Sequence, residues 1–227
     1  FHNSQIKPNA KIEISPGVKC WRESRPINNV GLYIPGGSAP LFSTLLMLGI
    51  PAKIAGVRNI NIVTPPNEDG EIDDVILYVA SILEISNIFK IGGAQSIAAL
   101  SIGTNTIPKV DKIFGPGNQY VTKSKFFASN NGTDIDMLSG PSEVFIIADN
   151  SCNPKYVAAD LLSQAEHGPD SQFILATDDK SVIANVQKEI EEQLLSLPRA
   201  ETIMKSIKNS FLVKFENIND CLELSNF

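Results

Sequence analysis

Two successive runs of alternating strand-like and helix-like segments place this chain in the α/β class, with parallel sheets covered by helices on both faces. Three observations predict that class. Apolar runs of strand length recur between segments of helix length. Three of those runs in the first half pass straight into glycine, at Gly36-Gly37, Gly92-Gly93 and Gly115-Pro116-Gly117, as parallel strands do when they turn into the following helix. In the second half Val144-Phe145-Ile146-Ile147-Ala148 is apolar throughout, the pattern of a parallel strand buried on both faces.

In chain order, residues 30–34 form a strand, and the glycine loop at 35–40 leads into a helix over 41–55. Pro51 predicts a kink or break there, because it lacks an N–H and crowds the preceding turn. A strand at 61–64 is followed by the turn-rich Pro65-Pro66-Asn67-Glu68-Asp69-Gly70 and an amphipathic helix over 73–83. A strand at 88–91 runs into Gly92-Gly93 and a helix over 94–102. A strand at 112–114 ends at Gly115-Pro116-Gly117, which opens a helix over 118–128. The second rhythm comprises a strand at 144–148, a helix over 153–166, a strand at 173–177, a helix over 179–197 and a strand at 211–215. Asn153-Pro154 is a helix start, with Asn as N-cap and Pro at the first helical position. The two units join near residues 136–142, and no flexible linker separates them.

At 227 residues the chain has room for one large or two small domains, at roughly 100–200 residues each. Hydrophobic content of 43% with 19% charged residues is globular composition. A net charge of −6 without a Lys/Arg cluster excludes nucleic acid as the main partner. Cys20, Cys152 and Cys221 are odd in number, far apart and without a CxxC, which disfavours a disulfide framework and a thiolate zinc site and fits a reducing cytoplasm. No apolar stretch approaches the roughly 20 residues of a membrane span. A chain that runs from Phe1 to Phe227, the latter within an apparent helix, is expected to be a piece of a longer protein.

The chemistry concentrates in Ser163-Gln164-Ala165-Glu166-His167-Gly168-Pro169-Asp170-Ser171-Gln172, which holds one of only two histidines. Gln164 and His167 are i, i+3 on the last turn of a helix that Gly168-Pro169 stops, so their side chains share a face. Together they could contact a metal or a polar substrate, or they could cap the exposed carbonyls of the helix end. The glycine loops leave backbone N–H groups and helix N-termini open to an anion, and Ser38, Gln95 and Asn118 just after the glycines are expected to face one cleft. None of the loops is a GxGxxG or a GxxxxGK[ST], so glycines that only make tight turns explain them equally well. Ser142 lacks the trailing glycine of a nucleophile elbow and reads better as a substrate contact. His2 reads as solvated, and Asp134 and Asp136 as an exposed pair.

Gly31-Leu32-Tyr33-Ile34-Pro35-Gly36-Gly37, Val110-Asp111-Lys112-Ile113-Phe114-Gly115-Pro116-Gly117-Asn118, Gly140-Pro141-Ser142-Glu143 and the segment from Ser163 to Ser171 together resemble histidinol dehydrogenase, along the whole chain. The resemblance implies two incomplete Rossmann-like domains, the second inserted into the first: residues 1–32 with 143–227 as the zinc and substrate side, and 33–142 as the NAD side. It implies a homodimer with an active site shared between subunits. The implied reaction is the zinc-dependent oxidation of L-histidinol through L-histidinaldehyde to L-histidine with NAD, one zinc per subunit, in the cytoplasm. Tyr33, Gln95 and Asn118 match the family's NAD contacts. Ser142, Gln164 and His167 match substrate contacts, and Gln164 and His167 also match zinc ligands. The family's catalytic base and further zinc ligands match nothing in these residues and are expected beyond Phe227, so the 227 residues alone are expected to be inactive. The alternatives are a related zinc-dependent amino-alcohol dehydrogenase and a non-catalytic remnant that keeps the fold.

Overall fold

The computed structural model describes residues 1–6, 9–36, 40–138 and 143–227. By packing the chain divides into two units, Phe1–Ser139 and Gly140–Phe227.

The first unit opens with a short 3-10 turn, His2–Gln5, and an antiparallel hairpin of β1, Ile12–Ser15, and β2, Val18–Cys20. It continues through β3 (Asn29–Tyr33), α1 (Phe42–Ala55), β4 (Asn59–Thr64), α2 (Asp74–Ile82), β5 (Asn87–Lys90), α3 (Gly93–Ile102), β6 (Lys112–Phe114), α4 (Gln119–Asn130) and β7 (Asp134–Ile135). The last five strands form one parallel sheet in the order β5-β4-β3-β6-β7. That order reverses direction between β3 and β6. The carboxyl ends of these two strands are therefore the topological switch point, where open parallel sheets bind ligands.

Apolar side chains fill both faces of this sheet. Val30, Leu32, Ile62, Leu45, Ile76 and Leu83 make one cluster, and Val63, Ile97, Leu100, Ile113 and Val121 another. The boundary expected between residues 32 and 33 falls inside β3, which pairs with β4 on one side and β6 on the other. Residues 29–32 consequently share a sheet with the segments that follow residue 33. Helix α1 runs through Pro51 without the expected break. The carbonyl that Pro51 cannot serve is that of Met47, four residues back, a residue that is 61% exposed.

The second unit consists of β8 (Glu143–Ile147), α5 (Pro154–Ala165), β9 (Gln172–Thr177), α6 (Lys180–Leu194), α7 (Ala200–Ile207), β10 (Phe211–Lys214) and α8 (Ile218–Ser225). Its parallel sheet has the order β10-β9-β8. Leu161, Leu162, Phe173, Leu175, Val186 and Ile203 form its core. β8 was expected to be buried on both faces, and its apolar residues are only half-buried. The reason is topological: among the described residues it is an edge strand, paired with β9 alone. Helix α8 ends at Ser225, with Asn226 at its C-cap, so Phe227 lies outside the helix that was expected to contain it. Helix α7, the β1–β2 hairpin and β7 carried no clear signal in the sequence.

Candidate functional site

At the switch point the loops that follow the strands pack against one another closely enough to require glycine. A Cβ on Gly36 would lie 2.4 Å from Pro65 Cγ, and one on Gly92 would lie 2.6 Å from Pro65 Cβ. Pro65 thus joins the loops after β3, β4 and β5. Gly115, directly after β6, has φ +125°, and a Cβ there would meet the Tyr33 carbonyl oxygen at 2.1 Å. These glycines do more than turn the chain. They bring the ends of adjacent strands to distances that no side chain tolerates.

Tyr33 closes β3 and is 5% exposed, with its ring in the core. Its hydroxyl accepts from the Gly93 N–H at 3.3 Å, which leaves its own proton to donate. Gln95, exposed on the first turn of α3, lies against Gly93: a Cβ on Gly93 would be 2.9 Å from its Oε1. Tyr33 and Gln95 therefore meet at Gly93. Asn118 is the N-cap of α4, and its Oδ1 accepts from the N–H groups of Tyr120 and Val121, each at 3.1 Å. That leaves the Asn118 Nδ2 as the group it can offer to a ligand. A cavity of about 400 Å³ opens between α3 and α4, lined by Ala94, Gln95, Ala98, Phe127 and Asn131 among others. It includes Gln95 but neither Tyr33 nor Asn118, so it is not the single cleft expected for Ser38, Gln95 and Asn118. Ser38 and Ser142 lie outside the described residues.

In the second unit, α5 starts as its sequence predicts. Asn153 Oδ1 accepts from the Lys155 N–H at 3.1 Å, and Pro154 occupies the first turn. Its last turn carries Gln164. The His167 N–H donates to the Gln164 carbonyl at 3.2 Å, extending the turn so that the imidazole follows the amide. Among the described residues the buried Gln164 Nε2 has no hydrogen-bond partner, so this amide does not cap the helix. The loop beyond His167 is tied down from its far side. Asn209 Nδ2 donates to the Pro169 carbonyl at 3.2 Å, and the Ser206 hydroxyl donates to the Ser171 carbonyl at 2.8 Å. An ion pair at 4.0 Å joins Arg199 to Glu166, which directly precedes His167.

A zinc ion takes nitrogen, sulfur and oxygen donors, usually four. Gln164 and His167 supply an amide oxygen and an imidazole nitrogen from one turn. Turning the Gln164 amide about its last bond exchanges Nε2 for Oε1 in the buried position, where an oxygen has the chemistry of a metal ligand. The residues present fit two positions of such a site. Among the described residues no group of three or more His, Cys, Asp and Glu side chains could hold a metal. Asp134 and Asp136 are both exposed as expected, and Asp136 is in addition in an ion pair with Lys125, whose side chain is 2% exposed. A buried lysine eleven residues from its partner gives no periodic signal, and sequence reasoning missed it.

Burial raises the Cys152 and Cys221 thiols above their ordinary range, nearby aspartates adding to the effect. Protonated at neutral pH, they are poor nucleophiles and poor ligands. Among the described residues no helix is long and apolar enough to cross a membrane.

The chain is 53% identical over 226 residues to a histidinol dehydrogenase of Bacteroides thetaiotaomicron, covering 100% of this chain and 53% of that protein. It is 52% identical over 228 residues to a histidinol dehydrogenase of Buchnera aphidicola, again covering 100% of this chain and 52% of the relative. The crystal structure of histidinol dehydrogenase from Elizabethkingia anophelis superposes with a TM-score of 0.94 at 54% identity, over 100% of this chain and 52% of that one. The chain thus spans about half the length of the relatives it matches. The profile of the histidinol dehydrogenase family matches residues 1–227, and the chain belongs to that family.

Proposed function

We propose that the chain is part of an NAD-dependent, zinc-requiring enzyme that oxidises L-histidinol through L-histidinaldehyde to L-histidine, the end of histidine biosynthesis. The observation that carries this reading is the family match along all 227 residues. The geometry supports a division of labour. The first unit binds the dinucleotide at its switch point, with Tyr33 donating its hydroxyl proton, Asn118 donating from Nδ2 and Gln95 lying beside Gly93. The second unit supplies Gln164 and His167 to the metal and the amino alcohol, with Ser142 as a further substrate contact. Zinc, when bound, holds and orients a substrate bearing both an amine and an imidazole. The chain's own contribution is to hold the imidazole of His167 and the amide of Gln164 in fixed relation on one helix turn.

The reaction balances with two equivalents of NAD. The alcohol loses a hydride and a proton to become the aldehyde, and the aldehyde takes up water and loses a second hydride to become the carboxylate. The protons need a base with a pKa near neutrality. His167 serves poorly in that role once its ring nitrogen is committed to a metal, so the base belongs to the part of the enzyme beyond these residues. The active site shared between two subunits of a homodimer and the cytoplasmic location belong to the same reading, the latter supported by three free cysteines.

The test uses the complete natural protein with L-histidinol, following NAD reduction by absorbance with and without a zinc chelator. Two NAD reduced per histidinol consumed, abolished by the chelator and restored by zinc, is the expected result. A folded, zinc-loaded protein that reduces no NAD would sink the reading and favour a fold kept without its chemistry.

A further inference from the structure

Gly115 is held on both sides of its backbone by charged side chains. Its N–H donates to Asp136 Oδ2 at 2.8 Å, and its carbonyl accepts from the Lys125 ammonium at 2.9 Å. The two side chains also bond each other, Lys125 Nζ to Asp136 Oδ1. The carboxylate serves a third donor, the Met137 N–H at 2.7 Å. Asp136 stands where β7 stops. Its own N–H still continues the ladder to the Ile113 carbonyl at 3.1 Å, while its side chain takes the next donor along the neighbouring strand, that of Gly115.

Gly115 is buried, so its N–H and carbonyl need partners. Burying an ammonium to serve one of them carries a desolvation penalty that only good geometry offsets. What the arrangement secures is a closed ring. From Gly115 the chain passes through Pro116 and Gly117 to Asn118, Asn118 caps α4, and α4 returns through Lys125 to Gly115. The fourth side is the Tyr33 carbonyl, against which Gly115 lies too closely for a Cβ. The loop that leads from β6 into α4 is thereby tied to one ion pair, whose lysine is buried.

We propose that Lys125 and Asp136 are positioning residues for the dinucleotide site: acting through Gly115, they set the path of the loop that carries Asn118 and so tune affinity for NAD. The proposal rests on the reading that Asn118 contacts NAD. Neither residue touches the cofactor. The pair is charged because one carboxylate must accept from three donors at once, which an amide with a single acceptor oxygen cannot do.

The experiment measures NADH affinity by fluorescence titration, KM for NAD and for L-histidinol, and Tm, in the complete natural protein. Asp136→Asn is expected to raise the Kd for NADH about tenfold, the scale of one well-made contact, with the KM for L-histidinol unchanged. The double variant Lys125→Met with Asp136→Asn removes the orphaned buried charge, so its Tm should recover toward the natural value while NADH affinity stays weak. That separation is what a merely structural role would not produce. If the double variant binds NADH as tightly as the natural protein, the proposal is wrong. Asn118→Ala distinguishes the underlying reading: unchanged NADH affinity in that variant would remove Asn118 from the cofactor site, whatever the pair does. Should Asp136→Asn fail to fold, Lys125→Gln, which keeps a neutral donor near the Gly115 carbonyl, carries the same comparison.

Discussion

A buried amide nitrogen without a partner costs on the order of 1–3 kcal/mol, and the Gln164 Nε2 is such a group. Proteins retain that cost where a side chain has work to do in a different state. Gln164→Leu should therefore move two quantities in opposite directions. The metal-free protein should gain stability, read as a higher denaturation midpoint, while zinc content after dialysis falls. Loss of stability with zinc retained would mean that Gln164 is a packing residue. His167 and Gln164 drew attention in the sequence because they sit three apart before a Gly-Pro stop. Lys125 was not, because its charge is satisfied by tertiary neighbours, Gly115 and Asp136, that helix periodicity does not reveal. Asp136 is exposed as expected, but its ion pair with Lys125 was not legible for the same reason.

At the scale of elements, the two helices with an Asn or Asp ahead of a clear apolar stripe began within a residue or two of their predicted starts, since the cap chemistry is local. Asp179 caps α6 by accepting from the Ser181 N–H at 2.7 Å. Hydrogen bonds from Ser181, its hydroxyl first and its N–H next, hold this carboxyl below its ordinary value of 3.8. A folded-state pKa below the unfolded one gives stability that is present above the unfolded value and is lost as pH falls through the folded one. Asp179→Asn keeps the acceptor oxygen and removes the titration. Its stability at neutral pH should match the natural protein, and its urea midpoint should fall less steeply below about pH 4. Equal slopes in the two proteins would show that the cap does not titrate with folding. β8 was less legible. Its apolar run resembles a strand covered on both faces, but the number of partners a strand acquires is decided by chain far from it.

For the whole molecule, the alternation of strands and helices was enough to give two α/β units, because hydrophobic patterning sets layer architecture. The strand order was not legible, and it is what puts Tyr33 and Gly115 side by side. In the proposed function Gln164 and His167 would give two donors to a metal that normally takes four, and the second unit offers no acidic or imidazole cluster among its described residues to complete the set. The 227 residues by themselves should therefore form no NADH from L-histidinol and NAD, even with zinc added, in the absorbance assay that detects the complete protein. Turnover by this segment alone would mean that the missing base and donors are dispensable.

Pro65 carries a consequence for how this family can vary. Because Gly36 and Gly92 both abut the same proline ring, the three positions form one linked choice. A side chain at either glycine becomes tolerable only after position 65 has shrunk, and a smaller residue at 65 leaves both glycines looking into an unfilled gap. Substitutions here have an order in which they can be accepted, and the loops after β3, β4 and β5 are bound to change together or not at all.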